Sequence, residues 1–176
     1  MSIVLTLSLY TPFFTTSHNL DSKVLDVAQR EKFAKTVAEE YSDKLGWSVK
    51  IVTPQTISHS MQMCNKYNLN SLSYDTVYSI LNRIKAQGVK VDHVFVDTLG
   101  KPETYKKQLS ERYPMYSFTV CSKADSIYPV VGAASIFAKV TRDFNLENWK
   151  PTGSSLSFDR DFGSGYPSGK AKFIEL

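Results

Sequence analysis

The chain has 176 residues, of which 42% are hydrophobic and 22% charged, enough to form one domain with a buried core. Its net charge of +4 suits a phosphate-bearing partner, but the 21 basic and 17 acidic residues form no basic tail. Cys64 and Cys121 lie far apart in the chain, so neither a disulfide framework nor a CxxC zinc site is indicated, and a reducing compartment is expected. No window is apolar over the roughly 18 residues that a membrane span requires.

The first third of the chain predicts a strand, a helix and a second strand. The opening segment, MSIVLTLSLYTPFF, has no Lys or Arg before its apolar run and no small-x-small cleavage site, so its alternation favours a buried strand ending at Pro12 over a signal peptide. Residues 26–45 predict an amphipathic helix that ends at Gly46. Residues 47–52 alternate apolar and polar side chains, which is typical of a short strand. The apolar face of the helix consists of Val27, Phe33, Val37 and Tyr41.

Two helices are predicted next. Residues 57–63 predict a short helix that leads into the segment CNKYNLNSLSYD. Ser73 or Asp75 is expected to cap a longer helix over residues 76–87, with Gly88 as its C-terminal stop. The apolar face of that helix is formed by Val77, Ile80, Leu81 and Ile84.

The remaining elements continue the alternation of strands and helices. VDHVFVD predicts a strand, KPETYKKQLSERYP a helix with Pro102 in its first turn, and SFTVCSK another strand. A longer helix is expected from Ser126 to about Trp149, and the segment from Pro151 onward reads as loop. This order predicts an α/β domain with a mixed sheet covered by helices. The small residues expected to let the last helix lie close to the sheet are Gly132, Ala133, Ala134 and Ala138.

Two aspartates stand at the ends of apolar segments. Asp97 follows the run VFV and is expected at the carboxyl end of a buried strand, where open α/β sheets bind ligands, although Asp97 could instead form a turn with Thr98 and Gly100. Asp125 precedes a helix and could be an ordinary N-cap. If the two loops meet, the carboxylates could share Mg²⁺ ions, and a metal pair could clamp both the attacking water and the leaving oxygen of a phosphodiester.

Two aspartates are few ligands for a metal pair, so such a site would need further carboxylates. Asp143 lies beside Arg142, which favours a surface ion pair. The remaining candidates are Asp21, Asp159 and Asp161.

The stretch DFGSGYPSG places Tyr166 among glycines and a proline. Glycines let a backbone approach a ligand, and an exposed aromatic ring could stack on a sugar or base, but Tyr166 could equally pack on the domain within a turn-rich loop. The same two interpretations apply to lysines, which could contact phosphate or simply be solvated. The lysines concerned are Lys23, Lys123 and Lys139.

Six segments occur in one order in this chain: LDSKVL, GWSVKIVTPQTIS, KYNLNSLSYDT, VFVDTLGKPETY, KADSIYPVVGAASIFAKVTRD and DFGSGYP. Together they resemble the type 2 ribonucleases H, the ribonuclease HII family, and in particular the catalytic chain of the eukaryotic heterotrimeric enzyme. They run from about Asp21 to Pro167, which is most of the chain, so the resemblance is highly specific. It implies a single domain over residues 1–176 with a ribonuclease-H-like mixed sheet flanked by helices and incomplete at both ends.

The resemblance implies endonucleolytic cleavage of RNA in RNA/DNA hybrids, and of single ribonucleotides embedded in duplex DNA, by two-metal-ion hydrolysis. Four carboxylates hold two Mg²⁺ ions in that family, with Mn²⁺ as a substitute, and the third and fourth match Asp97 and Asp125. Tyr166 matches the tyrosine that contacts the sugar at the RNA-to-DNA junction. The resemblance also implies two accessory subunits and a location in the nucleus. The residues that fall in the family's substrate-facing motifs are Lys23, Arg142 and Asn68.

The sequence departs from the family pattern at both ends. The first two carboxylates of the family lie in a DEAGRG motif, which does not occur before Asp21, and after GSGYPS this chain continues with GKAKFIEL. With two of four ligands absent, we expect activity to be reduced by orders of magnitude or abolished. The alternatives are a catalytically inactive hybrid-binding or competitor subunit, and a truncated gene model without function.

Overall fold

The computed structural model describes residues 3–8, 25–42, 45–62, 67–98 and 100–148. In this part of the chain no helix is long and apolar enough to cross a membrane. The elements in chain order are β1 (Ile3–Ser8), α1 (Val27–Glu40), β2 (Trp47–Val52), α2 (Pro54–Met61), α3 (Leu69–Ala86), β3 (His93–Asp97), α4 (Pro102–Arg112), β4 (Ser117–Cys121), α5 (Ala124–Ile127) and α6 (Pro129–Glu147).

The four described strands form two pairs of opposite type. β1 runs antiparallel to β2, with the register extending from Ile3 opposite Val52 to Ser8 opposite Trp47. β3 runs parallel to β4, from His93 opposite Ser117 to Asp97 opposite Cys121. A parallel pair needs a crossover connection, and α4 supplies it. Both strand types predicted for a mixed α/β domain are therefore present.

The main core lies on one face of the parallel pair. Val94 and Val96 of β3 are buried because side chains alternate between the two faces of a strand. Phe118 and Val120 of β4 are buried for the same reason. Helices α3 and α4 cover this face with side chains that include Leu81 and Leu109, both 0% exposed. The same alternation places His93, Phe95 and Asp97 on the opposite face.

A second cluster joins α1 to α6. Ala34, Val37 and Leu45 pack with Phe137 of α6, and the ring of Trp47 stacks on Phe137 with a centroid distance of 5.3 Å. The close approach predicted for α6 is confirmed, since α6 packs against β1. Three of its four small residues, Gly132, Ala133 and Ala134, are buried, whereas Ala138 is only half-buried.

Two predicted helix boundaries in the first half differ from the structure. α1 ends at Glu40 rather than near Gly46, and Val27, expected on its apolar face, is 49% exposed. α2 begins at Pro54, not at residue 57, because the side chain of Thr53 accepts a hydrogen bond from the Thr56 amide and Pro suits a first helical turn.

The longer helices also begin at different residues than predicted. α3 begins at Leu69 and is capped by Asn68, so the predicted caps Ser73 and Asp75 lie inside the helix. The single helix predicted from Ser126 is two helices, because the residue before Pro129 is pushed out of helical geometry and separates α5 from α6. The predicted loop from residue 151 lies outside the described residues.

Candidate active site

Asp97 lies where the sequence predicts it, at the carboxyl end of β3. It is the last residue of the strand and is exposed, whereas Thr98 beyond it is buried. The Thr98 amide donates to the Cys121 carbonyl at 3.2 Å, so pairing with β4 continues one residue past the carboxylate. Asp97 therefore sits on a firmly held backbone at the edge where parallel strands of open α/β sheets present ligand-binding groups.

Asp125 occupies a different position from the predicted N-cap. Lys123 takes the N-cap position of α5 without a side-chain hydrogen bond to the helix, and Asp125 is the second residue of the helix itself. Its side chain is mostly enclosed, since the residue is only 7% exposed. An Asp is rarely this buried in a protein, which sets Asp125 apart from an ordinary capping residue.

A hydrogen bond connects the two aspartate-bearing segments. The backbone amide of Ala124 donates to Oδ1 of Asp97 at 3.1 Å. Ala124 directly precedes Asp125, so the Asp97 carboxylate is hydrogen-bonded to the residue next to the second aspartate. The structure thus brings together the two segments that the sequence paired only as a conditional hypothesis.

The turn predicted after Asp97 is also present, so the two interpretations of this segment are compatible. The Gly100 amide donates to Oγ1 of Thr98 at 3.1 Å, which is a local side-chain turn of the kind Thr favours. A Cβ atom at Gly100 would lie 2.5 Å from the Tyr74 hydroxyl oxygen. The Tyr74 ring stacks on Tyr105 of α4 with a centroid distance of 3.9 Å, so Tyr74 has little room to retreat.

Tyr105, which packs behind this turn, stays protonated at neutral pH. Burial raises the pKa of Tyr105 well above its usual range, with smaller effects from neighbouring tyrosines. Among the described residues, the Tyr105 hydroxyl has no hydrogen-bond partner, so ring packing is what holds this side chain. Sequence reasoning missed this support of the Asp97 loop, because Tyr74 and Gly100 lie on separate elements.

Asn68 and Arg142, predicted to face substrate, both make structural contacts. Oδ1 of Asn68 accepts from the Ser71 amide at 3.0 Å and caps α3. Nε and Nη2 of Arg142 donate to Oδ1 of Asp143 at 2.8 and 2.6 Å. The predicted Arg142–Asp143 ion pair is therefore present, but it is partly buried and not on the open surface. Asp143 also lies 3.8 Å from Nη2 of Arg30, which links α6 to α1.

Several predicted residues lie outside the described part of the chain. They are Lys23, Tyr166, Asp21, Asp159 and Asp161.

The donor chemistry of the two aspartates suits a hard divalent cation. Mg²⁺ prefers oxygen ligands and is commonly held by one or two carboxylates, with water and substrate phosphate completing its coordination. Within the residues that the structure describes, no group of three or more His, Cys, Asp or Glu side chains comes together. Asp97 and Asp125 could each supply carboxylate oxygen ligands to such an ion.

Comparison with known proteins agrees with this architecture. Residues 10–175 match the family described as ribonuclease HII. The chain is similar to a ribonuclease H2 subunit from Rattus norvegicus, with 50% identity over 149 residues that cover 84% of this chain and 49% of the relative. Against the corresponding protein of Arabidopsis thaliana the identity is 39% over 158 residues, covering 90% of this chain and 53% of the relative. The chain thus spans about half the length of these relatives.

Two solved structures share the fold. A chain of the PCNA–ribonuclease HII complex from Archaeoglobus fulgidus superposes with a TM-score of 0.72 and 27% identity, covering 95% of this chain and 73% of that one. Ribonuclease H2 from Pyrococcus horikoshii gives a TM-score of 0.67 and 26% identity, covering 96% of this chain and 82% of that one. The predicted ribonuclease-H-like α/β fold is confirmed.

Proposed function

The chain belongs to the ribonuclease HII family, and we propose that it acts as an endoribonuclease on the RNA of RNA/DNA hybrids and on ribonucleotides embedded in duplex DNA. The observation that carries the proposal is the hydrogen bond from the Ala124 amide to Asp97, which holds two aspartate-bearing segments together at the end of a parallel strand pair. Its relatives are named as ribonuclease H2 subunits, which supports the same reaction class.

We propose that Asp97 and Asp125 bind Mg²⁺, with Mn²⁺ as a substitute. Bound metal would stabilise charge on the scissile phosphate and activate water for hydrolysis. The exposed Asp97 carboxylate is oriented by the Ala124 amide, and the burial of Asp125 fixes its side chain. Both features favour a fixed ligand geometry, which a two-metal-ion reaction requires.

Substrate contacts are proposed for Lys23, Tyr166, Arg142 and Asn68. The cationic groups would contact phosphates, and Tyr166 would stack on the sugar at the junction between RNA and DNA. Because Asn68 and Arg142 already cap α3 and pair with Asp143, they would also shape the surface that substrate meets. The net charge of +4 favours such binding.

Two accessory subunits and a nuclear location are also proposed. The relatives are named as subunits, which supports an assembly of more than one chain. Purification of the tagged chain from nuclei of its source, followed by identification of co-purifying proteins, would test both. Recovery of the chain alone from cytoplasm would contradict them.

The first test is cleavage of a labelled DNA duplex carrying one ribonucleotide, in Mg²⁺. Asp97→Asn should reduce cleavage by more than about 100-fold, since even groups that only support a metal ligand contribute about 10–100-fold. Asn keeps an oxygen that can accept from Ala124, so the fold should persist. Asp92→Asn is the matched control, because Asp92 is an exposed carboxylate just before β3, at its opposite end, and should have no effect.

The same assay separates the alternatives. Absence of cleavage by the folded wild-type chain would contradict the proposal. Hybrid binding that weakens steeply with salt would then favour a binding or competitor role. Neither cleavage nor binding would favour a product without function, and the expectation of reduced activity stays a prediction until this rate is measured.

A further inference from the structure

Lys123 has an unusual backbone conformation beside the candidate site. Its φ of 58° and ψ of 34° lie in the left-handed region, and among the described residues it is the one non-glycine residue with positive φ. This region is disfavoured for residues with a Cβ, since that atom approaches a carbonyl oxygen too closely. Such conformations persist only where surrounding structure enforces them, and they often occur at functional sites.

The structure around Lys123 shows what enforces the conformation. On one side β4 ends at Cys121, whose carbonyl accepts from Thr98. On the other side Ala124 is 1% exposed and Asp125 is 7% exposed, so the start of α5 is buried. The Ser126 amide also donates to the Lys123 carbonyl at 3.1 Å. The left-handed turn at Lys123 therefore connects two packed segments, the end of β4 and the start of α5.

The left-handed conformation of Lys123 sets the direction of the Ala124 amide. A left-handed residue immediately before Ala124 aims the Ala124 N–H at Oδ1 of Asp97, at 3.1 Å. The next residue carries the second aspartate. A right-handed or extended Lys123 would rotate this peptide, so the Asp97 carboxylate would lose its donor and Asp125 would be displaced.

We propose that Lys123 is a positioning residue whose left-handed backbone, and not its ammonium charge, holds the carboxylates of Asp97 and Asp125 in their relative arrangement. This rests on the proposed function in so far as that arrangement serves metal binding. The Lys123 side chain is exposed and makes no capping hydrogen bond, so the backbone is the part of the residue that the fold uses. The competing interpretation is that the ammonium group contacts substrate phosphate.

Substitutions that remove the charge equally but differ in backbone preference separate the two interpretations. Lys123→Gly and Lys123→Asn tolerate positive φ, whereas Lys123→Val opposes it strongly because Val is β-branched. Lys123→Ala is intermediate, and it provides a milder variant in case Lys123→Val does not fold. Circular dichroism and thermal unfolding would establish that each variant is folded.

The first measurement is hydrogen exchange of the Ala124 amide by NMR, in protein without metal. We expect Lys123→Gly and Lys123→Asn to retain at least wild-type protection. Lys123→Val should be about tenfold less protected than Lys123→Gly, because a β-branched residue opposes the left-handed region more strongly than Lys does. Lys123→Ala should fall between them. Asp97→Ala removes the acceptor, and loss of protection there would establish that the measurement reports this hydrogen bond.

The second measurement is Mn²⁺ affinity, followed by the paramagnetic resonance of free Mn²⁺. Affinity should follow the same order as protection, with Lys123→Val about tenfold weaker than Lys123→Gly. Equal losses in all variants would assign the effect to the charge and overturn the proposal, as would wild-type protection of Ala124 in Lys123→Val. A wild-type chain that binds no Mn²⁺ would contradict the proposed metal site. The ranking of the variants by hydrogen-exchange protection of the Ala124 amide would still decide the role of Lys123.

Discussion

Gly100 lies where the loop after Asp97 passes beneath the hydroxyl group of Tyr74. The contact that a Cβ atom would make there, 2.5 Å from the hydroxyl oxygen, is shorter than van der Waals packing allows. Tyr74 is held in place by its stacking on Tyr105. The absence of a side chain at position 100 is therefore a packing requirement of the loop that carries the candidate ligand.

Gly100→Ala is expected to destabilise the fold by about 1–3 kcal/mol, because the added methyl group forces Tyr74 or the loop to move. Urea denaturation would measure the loss. Tyr74→Phe removes the clashing oxygen, so the double variant should recover much of it. A double variant no more stable than Gly100→Ala alone would show that the cost arises from the backbone and not from this contact.

Tyr67 determines part of the change in unfolding free energy at high pH. Its hydroxyl donates to Oδ2 of Asp75 at 2.6 Å. Burial and this hydrogen bond raise the pKa of Tyr67 from 10.0 to about 12. The folded state therefore retains a proton that the unfolded state releases, and stability present below pH 10 is lost as pH rises toward 12.

Tyr67→Phe should make the fall in unfolding free energy between pH 10 and pH 12 shallower, since this hydroxyl no longer titrates. Denaturation at a series of pH values would measure the slope. Part of the slope will remain, because the pKa values of Tyr78 and Tyr113 are also raised by burial. An unchanged slope in Tyr67→Phe would contradict the assignment.

At the scale of elements, α3 illustrates how tertiary contacts override a local signal. The sequence predicted a start at Ser73 or Asp75, both of which are good capping residues. In the structure Asp75 is used by Tyr67, and Asn68 caps the helix five to seven residues earlier in the chain. The helix then ends as predicted, with Gly88 in the left-handed conformation at φ +70°.

Asn68→Ala should cost about 1 kcal/mol of stability, whereas Asn68→Ser should retain most of it, because Ser also accepts from the first-turn amides. Thermal unfolding would compare the two. Hybrid binding would then separate capping from the proposed substrate contact. If Asn68 contacts substrate, Asn68→Ser should bind hybrid more weakly while unfolding like wild type, and equal binding would restrict Asn68 to its capping role.

At the scale of the whole molecule, α6 joins the parts of the fold. It packs against α1, α5 and strands of both pairs. Ile136 is 0% exposed in the middle of this helix, and Phe137 beside it supports Trp47 of β2. The helix thus links the antiparallel pair to the parallel pair that carries Asp97.

Ile136→Ala should cost about 2–5 kcal/mol and Ile136→Val about 0.5–1.5 kcal/mol, as expected for loss of buried methyl groups. Because α6 bridges both strand pairs, one unfolding transition is expected. Circular dichroism and the fluorescence of Trp47, in a Trp149→Phe background, should therefore change together. Separate transitions would mean that the two strand pairs unfold independently.

The sequence by itself determined the order of the strands and main helices, the end of β3 at Asp97, and the family. These features are encoded locally, in side-chain alternation, helical periodicity and short motifs, so neighbouring residues suffice to indicate them. Tertiary structure alone decided that Asp125 is buried, that the Ala124 amide reaches Asp97, and that Tyr74 covers Gly100. Each depends on residues from separate elements, and the left-handed turn at Lys123 is stable only because packing on both sides enforces it.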